Sequence, residues 1–155
     1  MNNLEIKRDN YLNALIKAKH NGLIKIVSGI RRSGKSYLLF ELFKKHLLEQ
    51  NIDNSHIISI QLDDYANKKY RNPDNCYNYV KSCIQDTNMY YLLIDEVQLM
   101  DEFEDVLNGF LHIKNLDVYA TGSNSKFLSS DIITEFRGRS TEIRVYLHRL
   151  RQTLG

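Results

Sequence analysis

The amino-acid sequence predicts an α/β fold, in which a five-stranded parallel sheet lies between two layers of helices. Short apolar runs alternate with longer segments of helical periodicity along the chain. The runs at residues 23–27 and 90–94 are nearly continuous, which is typical of parallel strands buried on both faces. A glycine-rich loop joins the first of these runs to a helix. Together these observations favour a sheet built from successive strand–helix units.

The elements follow one another in a regular order. Strands are predicted at residues 23–27, 56–62, 90–94, 116–120 and 141–146. Helices are predicted at residues 8–20, 37–50, 73–85, 101–114 and 126–136. Because each of the first four strands is followed by a helix, the strands are expected to run parallel, with helices on both faces of the sheet.

Composition limits the classes of protein that the chain can represent. Its 155 residues suffice for one domain with a hydrophobic core, and its net charge of +2 does not indicate a nucleic-acid or membrane partner. No segment approaches the roughly 20 apolar residues of a membrane span, and the N-terminus lacks a signal-peptide pattern. Cys76 and Cys83 are expected to be packed thiols. We therefore expect a cytoplasmic protein without a membrane contact.

The loop at residues 29–36 has the sequence Gly-x4-Gly-Lys-Ser of a phosphate-binding loop. Gly29 and Gly34 let the backbone curl so that its N–H groups face an anion, and Lys35 adds a positive charge for the β- and γ-phosphates. The Ser36 hydroxyl is a candidate Mg²⁺ ligand. The predicted nucleotide-binding positions are Gly29, Ile30, Arg31, Arg32, Ser33, Gly34, Lys35, Ser36 and Tyr37.

Two acids follow the third predicted strand. Asp95 and Glu96 would lie at the carboxyl edge of the sheet, where open α/β sheets bind their ligands. Asp95 is predicted to bind Mg²⁺ through its water shell, and Glu96 to orient and deprotonate an attacking water. The alternative is an ordinary helix start, with Asp95 as the N-cap.

Three motifs resemble the AAA-type ATPase domain of a widespread bacterial and archaeal family of predicted ATPases. They are Gly-Ile-Arg-Arg-Ser-Gly-Lys-Ser at 29–36, Leu-Leu-Ile-Asp-Glu-Val-Gln at 92–98 and Tyr-Ala-Thr-Gly-Ser-Asn-Ser at 119–125. The resemblance implies a P-loop NTPase fold with strand order 5-1-4-3-2, and ATP and Mg²⁺ as cofactors. Members of this family usually carry a separate C-terminal domain.

The resemblance also implies further catalytic positions. Ser123 or Asn124 would act as a sensor between the γ-phosphate and the attacking water; the alternative is a polar helix cap. Arg137 or Arg139 would be an arginine finger that completes the site of a neighbouring copy; the alternative is a pair of surface arginines around a turn at Gly138.

The chain is expected to comprise an ATPase core at residues 1–147 and a short basic tail at 148–155. A helical lid and a C-terminal domain are not evident, which predicts a truncated form. The predicted function is hydrolysis of ATP with Mg²⁺, coupled to a conformational change. Alternatives are a nucleotide-binding fragment without efficient turnover and, less favoured, a P-loop kinase. Expected partners are ATP, a further copy of the chain, and an unidentified protein or DNA.

Overall fold

The fold is built on a five-stranded sheet in which all neighbouring strands are parallel. A computed structural model describes residues 3–30, 33–123 and 138–145. The strands are β1 (Ile24–Ser28), β2 (Ile57–Gln61), β3 (Tyr90–Asp95), β4 (Leu116–Gly122) and β5 (Ser140–Arg144). They are ordered β2-β3-β4-β1-β5. This arrangement confirms the predicted α/β class and the order 5-1-4-3-2 that the resemblance implied.

Helices connect the strands. They are α1 (Asn3–Ala18), α2 (a π-helical segment Tyr37–Phe43 that continues as the α-helical segment Lys44–Glu49), α3 (Pro73–Cys83) and α4 (Phe103–Phe110). Short 3-10 helices occur at Asn54–His56, Tyr65–Arg71 and Val97–Leu99. The sequence predicts the four longer helices, although α4 is shorter than expected. It does not predict the 3-10 helix at Tyr65–Arg71. The helix predicted at 126–136 lies outside the described residues.

Each face of the sheet contributes to a separate hydrophobic core. Residues such as Ile58 and Leu92 pack against α3 and α4 on one face. Leu93 and Tyr119 pack with α1 and α2 on the other face. Because consecutive residues of one strand, Leu92 and Leu93, point to opposite cores, the strand is buried on both sides. This explains why the apolar runs of the sequence do not alternate.

Helix α4 illustrates how a spacing of apolar residues fixes a helix against the sheet. Its buried side chains are Phe103, Val106, Leu107 and Phe110, at the i, i+3, i+4, i+7 spacing of one helix face. Burial of a side chain of this size stabilises the fold by about 1.5–3 kcal/mol.

Helix α2 differs in one respect from the helix that the sequence predicts. The helical spacing of the sequence predicts one buried face made of Leu38, Leu39, Leu42, Phe43, Leu47 and Leu48. Four of these are buried, but Leu42 is half-buried and Leu48 is exposed. The π-helical hydrogen bonds of Tyr37–Phe43 widen the turn and so alter which later residues share the buried face.

The parallel arrangement brings the ends of β1, β3 and β4 to one edge. Val27 of β1 pairs with Thr121 of β4, and Ile94 of β3 pairs with Ala120 of β4. The loop after β1 and the acids after β3 therefore meet at this carboxyl edge. Within the described ranges, none of the helices has the length and apolar character that a membrane span requires.

Candidate functional site

The loop after β1 turns sharply because its glycines adopt conformations that other residues rarely adopt. Gly29 has φ +153° and Gly34 has φ +97°. A Cβ atom at Gly29 would lie 2.5 Å from the carbonyl oxygen of Val145 and 2.9 Å from Ser33 Oγ. Gly29 is therefore required both by its backbone angle and by the close approach of the chain that leaves β5.

Side chains around this loop divide into buried and exposed positions. Lys35 is buried, and its Nζ donates a hydrogen bond to the backbone carbonyl of Ile30 at 3.1 Å, so that the ammonium group lies over the loop. The side chains of Ile30 and Tyr37 are exposed. Ser33 is buried, and its hydroxyl finds no partner among the described residues. Arg31 and Arg32 of the predicted binding set lie outside the described residues.

Asp95 connects the loop to the neighbouring strand. Ser36 Oγ donates to Asp95 Oδ2 at 2.7 Å, and the Thr121 hydroxyl donates to Oδ1. Burial raises the pKa of Asp95, and the two hydroxyl donors oppose that effect. The nearby carboxylates of Glu96 and Asp63 add to the rise. The site therefore holds a carboxylate that is unfavourable to ionise, beside the one hydroxyl predicted to bind Mg²⁺.

Glu96 adopts a left-handed backbone conformation, with φ 54° and ψ 50°. Its N–H donates to Thr121 Oγ1 at 2.9 Å. One oxygen of its carboxylate, Oε2, accepts from Ser123 Oγ at 2.7 Å and from Gln98 Nε2 at 2.5 Å. The backbone turn thus directs the carboxylate toward the end of β4.

The interpretation of Asp95 as a helix N-cap does not agree with this geometry. Glu96 is the residue that precedes the 3-10 helix Val97–Leu99, and no side chain caps that helix. Asp95 instead accepts from Ser36 and Thr121. The predicted pair of Ser36 and Asp95 is therefore in direct contact.

Of the two sensor candidates, the structure describes Ser123. Ser123 lies at the end of β4 and contacts Glu96. Asn124 lies outside the described residues, so the choice between the two stays a prediction.

The arginine-finger candidates lie away from this edge or outside the described part of the chain. The backbone carbonyl of Arg139 accepts from the N–H of Ile24 at 2.8 Å, at the start of β1, and the side chain of Arg139 is exposed. Ile24 and Ser28 are at opposite ends of β1, and the loop follows Ser28. The backbone of Arg139 therefore lies at the edge of the sheet opposite the loop. Its role at a neighbour's site stays a prediction, and Arg137 is outside the described residues.

Sequence reasoning missed two residues of the site. Thr121 bridges Asp95 and the backbone of Glu96, and Gln98 contacts the carboxylate of Glu96. The strand order 5-1-4-3-2 contained a signal for Thr121, because it places the end of β4 beside Asp95. Gln98 closes the motif at 92–98 that carries the resemblance, but the motif gave it no role, since its contact depends on the left-handed turn at Glu96.

The P-loop NTPase fold is defined by a parallel sheet in this order, a Gly-x4-Gly-Lys-Ser loop after β1 and an acid at the end of β3. This chain has all three features. A family model described as an AAA domain matches residues 21–154, and the chain belongs to that family. The fold and family are those of a nucleotide-binding, ATPase-like core.

Two relatives match over most of the chain. An uncharacterised protein of Haemophilus influenzae is 31% identical over 147 residues, which is 94% of this chain and 36% of that protein. The uncharacterised protein MJ1544 of Methanocaldococcus jannaschii is 30% identical over 151 residues, which is 94% of this chain and 32% of that protein. The chain thus spans about a third of the length of these relatives.

Solved structures share the fold at low sequence identity. PCH-2 of C. elegans superposes with a TM-score of 0.59 at 13% identity, covering 91% of this chain and 40% of that chain. A DNA polymerase III gamma subunit-related protein of Thermotoga maritima gives a TM-score of 0.60 at 10% identity, covering 90% and 45%. These similarities support the fold alone.

Proposed function

We propose that the chain binds ATP with Mg²⁺ and hydrolyses it, and that hydrolysis drives a conformational change in the larger protein represented by its relatives. The observation that supports this proposal best is the connected set of hydrogen bonds from Ser36 through Asp95 and Thr121 to Glu96. It joins the loop that would hold the phosphates to the residue that would act on water.

Phosphate binding is assigned to the backbone of residues 29–36 and to Lys35. A cradle of this kind requires N–H groups that converge on an anion, and glycine at the tight positions permits that curl. At Gly29 a side chain would collide with Val145, which supports a backbone-only role for this position. The buried ammonium of Lys35 would neutralise the charge of the β- and γ-phosphates.

Ser36 and Asp95 fit a Mg²⁺ ion because they present a hydroxyl and a carboxylate oxygen side by side. Mg²⁺ prefers oxygen ligands and keeps several of its waters, so one or two such groups with the phosphates suffice. When bound, the ion would neutralise charge on the phosphate oxygens. Asp95 would then be ionised despite its raised pKa, since a nearby cation favours the charged form.

Glu96 is assigned as the general base. Its carboxylate would take a proton from water as the water oxygen forms a bond to the γ-phosphorus. The bond from the γ-phosphorus to its bridging oxygen breaks, and the electron pair leaves with ADP. Ser123 would help to hold Glu96 through the hydrogen bond to Oε2.

The test consists of two measurements. Calorimetric titration with a non-hydrolysable ATP analogue and Mg²⁺ measures binding, and phosphate release from ATP measures turnover. Lys35→Ala should abolish binding of the analogue, because it removes the cation beside the phosphates. Glu96→Gln should retain binding but reduce turnover by about 10²–10⁴-fold, because the amide cannot take a proton. Lys45→Ala and Glu49→Gln, on the exposed surface of α2, are matched controls that should leave both measurements unchanged.

Other outcomes separate the alternatives. Binding by the parent chain without phosphate release would favour a nucleotide-binding module. Release that persists in Glu96→Gln would remove Glu96 from the reaction. An affinity that is unchanged in folded Lys35→Ala would refute the assignment of the loop.

A further inference from the structure

The carboxylate of Glu96 is held at one of its two oxygens. Ser123 Oγ and Gln98 Nε2 both donate to Oε2, at 2.7 and 2.5 Å. The hydrogen bonds that the described residues make to this carboxylate therefore converge on one atom. They leave Oε1 as the oxygen that is available to accept a proton.

The orientation of the Gln98 amide follows from the charge of its partner. An amide oxygen placed 2.5 Å from a carboxylate oxygen would be repelled, whereas the NH₂ group donates a hydrogen bond there. The donor is thus the group that faces Glu96. In this orientation Gln98 Oε1 is buried and finds no partner among the described residues.

Two unfavourable features therefore meet at this position. A buried acceptor without a partner is disfavoured, and so is the left-handed backbone of a non-glycine residue such as Glu96. Both accompany the contact between the Gln98 donor and Glu96. Because His20, Asn51 and Glu102 also have a left-handed backbone, the observation that singles out Gln98 is its donor contact with Glu96, made while its own acceptor stays buried without a partner among the described residues.

We infer that Gln98 is a positioning residue for the base: together with Ser123 it fixes Glu96 through Oε2 and leaves Oε1 to take the proton from water. This inference rests on the proposed hydrolysis. Gln98 has no chemical role of its own, because it would contact neither ATP nor the attacking water. It acts by restricting the rotation of a side chain that has several rotamers.

The first variant, Gln98→Met, keeps the volume and removes the donor. Turnover should fall by roughly 10- to 100-fold, since a small misplacement of a catalytic group has effects of this size. The KM for ATP and the affinity for the non-hydrolysable analogue should remain those of the parent. Gln85→Met is the matched control, because Gln85 is exposed and precedes β3, at the opposite edge of the sheet.

The second variant, Gln98→Glu, gives a signature that a structural role would not produce. At neutral pH a second carboxylate would repel Glu96, and turnover should be lost. Binding of the non-hydrolysable analogue should remain that of the parent, whereas a structural role of Gln98 would lower binding and turnover together.

Each outcome decides the question. A Gln98→Met variant with the turnover of the parent would overturn the inference, while inactivity of Glu96→Gln in the same assay would leave the proposed function standing. Loss of analogue binding in step with turnover would assign Gln98 a structural role and also overturn the inference. A parent chain that binds ATP but releases no phosphate would overturn both proposals.

Discussion

Two polar clusters, each built around buried residues, lie at opposite edges of the same sheet, and they differ in how completely their buried groups are paired. The amino-edge cluster consists of His20, Lys25, Tyr91, Asp117 and Tyr119. The carboxyl-edge cluster consists of Ser36, Asp95, Glu96, Gln98, Thr121 and Ser123. In the first cluster the buried charges are paired with each other, and the second keeps a buried acceptor without a partner among the described residues.

In the amino-edge cluster the donors of the buried cation all have acceptors. Lys25 Nζ donates to Asp117 Oδ1, to the carbonyl of Leu23 at 2.7 Å and to Asn21 Oδ1 at 3.2 Å. Asp117 Oδ2 accepts from the Tyr119 hydroxyl at 2.6 Å and from a backbone N–H at 3.0 Å. Burial lowers the pKa of Lys25, while the hydrogen bond and charge of Asp117 oppose that effect.

The carboxyl-edge cluster contains two acids, Asp95 and Glu96, that are adjacent in the sequence. The charge of Glu96 adds to the burial that raises the pKa of Asp95. Gln98 keeps a buried acceptor without a partner in the described part of the chain. A cation or a ligand that entered this edge would relieve the repulsion, whereas at the amino edge Asp117 already supplies the charge opposite to that of Lys25. The comparison therefore assigns a structural role to the amino-edge cluster and leaves the carboxyl-edge cluster as the one that the proposed function would use.

Asp117→Asn should have the largest effect on stability, because it leaves the buried charge of Lys25 without its counter-ion. We expect the free energy of unfolding to fall by about 3–5 kcal/mol. Urea denaturation followed by circular dichroism would measure this change. Asp101→Asn, at an exposed position, is the control and should stay within about 0.5 kcal/mol of the parent. Equal stability of the two variants would refute the structural role of the amino-edge cluster.

Thr121→Val should have an intermediate effect on stability and should also lower turnover. The substitution keeps the shape but removes the hydroxyl that donates to Asp95 and accepts from the N–H of Glu96. Leaving that N–H unpaired should lower the free energy of unfolding by about 1–3 kcal/mol. Phosphate release should fall as Glu96 loses its support.

Thr121→Ser provides the contrast, because it restores the hydroxyl but removes a buried methyl group. It should lose some stability and retain turnover. If turnover falls equally in both variants, the packing of the methyl group matters and the hydroxyl bridge does not.

The predictability of the two clusters from sequence differs for a physical reason. Gly29, Lys35 and Ser36 are close along the chain, so their spacing alone predicts a phosphate loop. The contact of Ser36 with Asp95 needs only the order of the strands, which the resemblance implied. The sequence thus sufficed for the fold class, and the resemblance supplied the strand order.

The remaining contacts depend on quantities that spacing does not encode. The bond between Gln98 and Glu96 requires a left-handed residue after β3, and glutamate gives no sign of that conformation. Lys25 lies within an apolar run, and its pairing with Asp117 depends on the register between β1 and β4. Long-range register and single backbone angles are set by the packed sheet as a whole.

Asp95→Asn should have the smallest effect on folding, and its sign should be opposite to that of Asp117→Asn. The raised pKa means that the native chain binds a proton at Asp95 more tightly than the unfolded chain does. The stability that this group contributes is therefore present below its unfolded pKa and is lost as the pH rises through the native pKa. An amide carries no charge; its oxygen can accept from one of the two hydroxyls and its NH₂ group can donate to the oxygen of the other. The variant should therefore be more stable than the parent by about 1 kcal/mol at pH 7. The gain should vanish in acid, below the ordinary aspartate pKa of about 3.9.

Thermal unfolding of parent and variant across this pH range would measure the effect, with Asp101→Asn as the exposed control. Calorimetry in parallel should show that Asp95→Asn loses the Mg²⁺ dependence of analogue binding, because an amide is a poorer partner for the ion than a carboxylate. A variant that is less stable than the parent at pH 7 would mean that the hydroxyl bonds outweigh the cost of burying the charge. Asp95 would then belong with the paired, structural groups of the amino edge. A more stable variant with weakened Mg²⁺ dependence would instead mean that the sheet gives up stability at its carboxyl edge to keep an ionisable oxygen there.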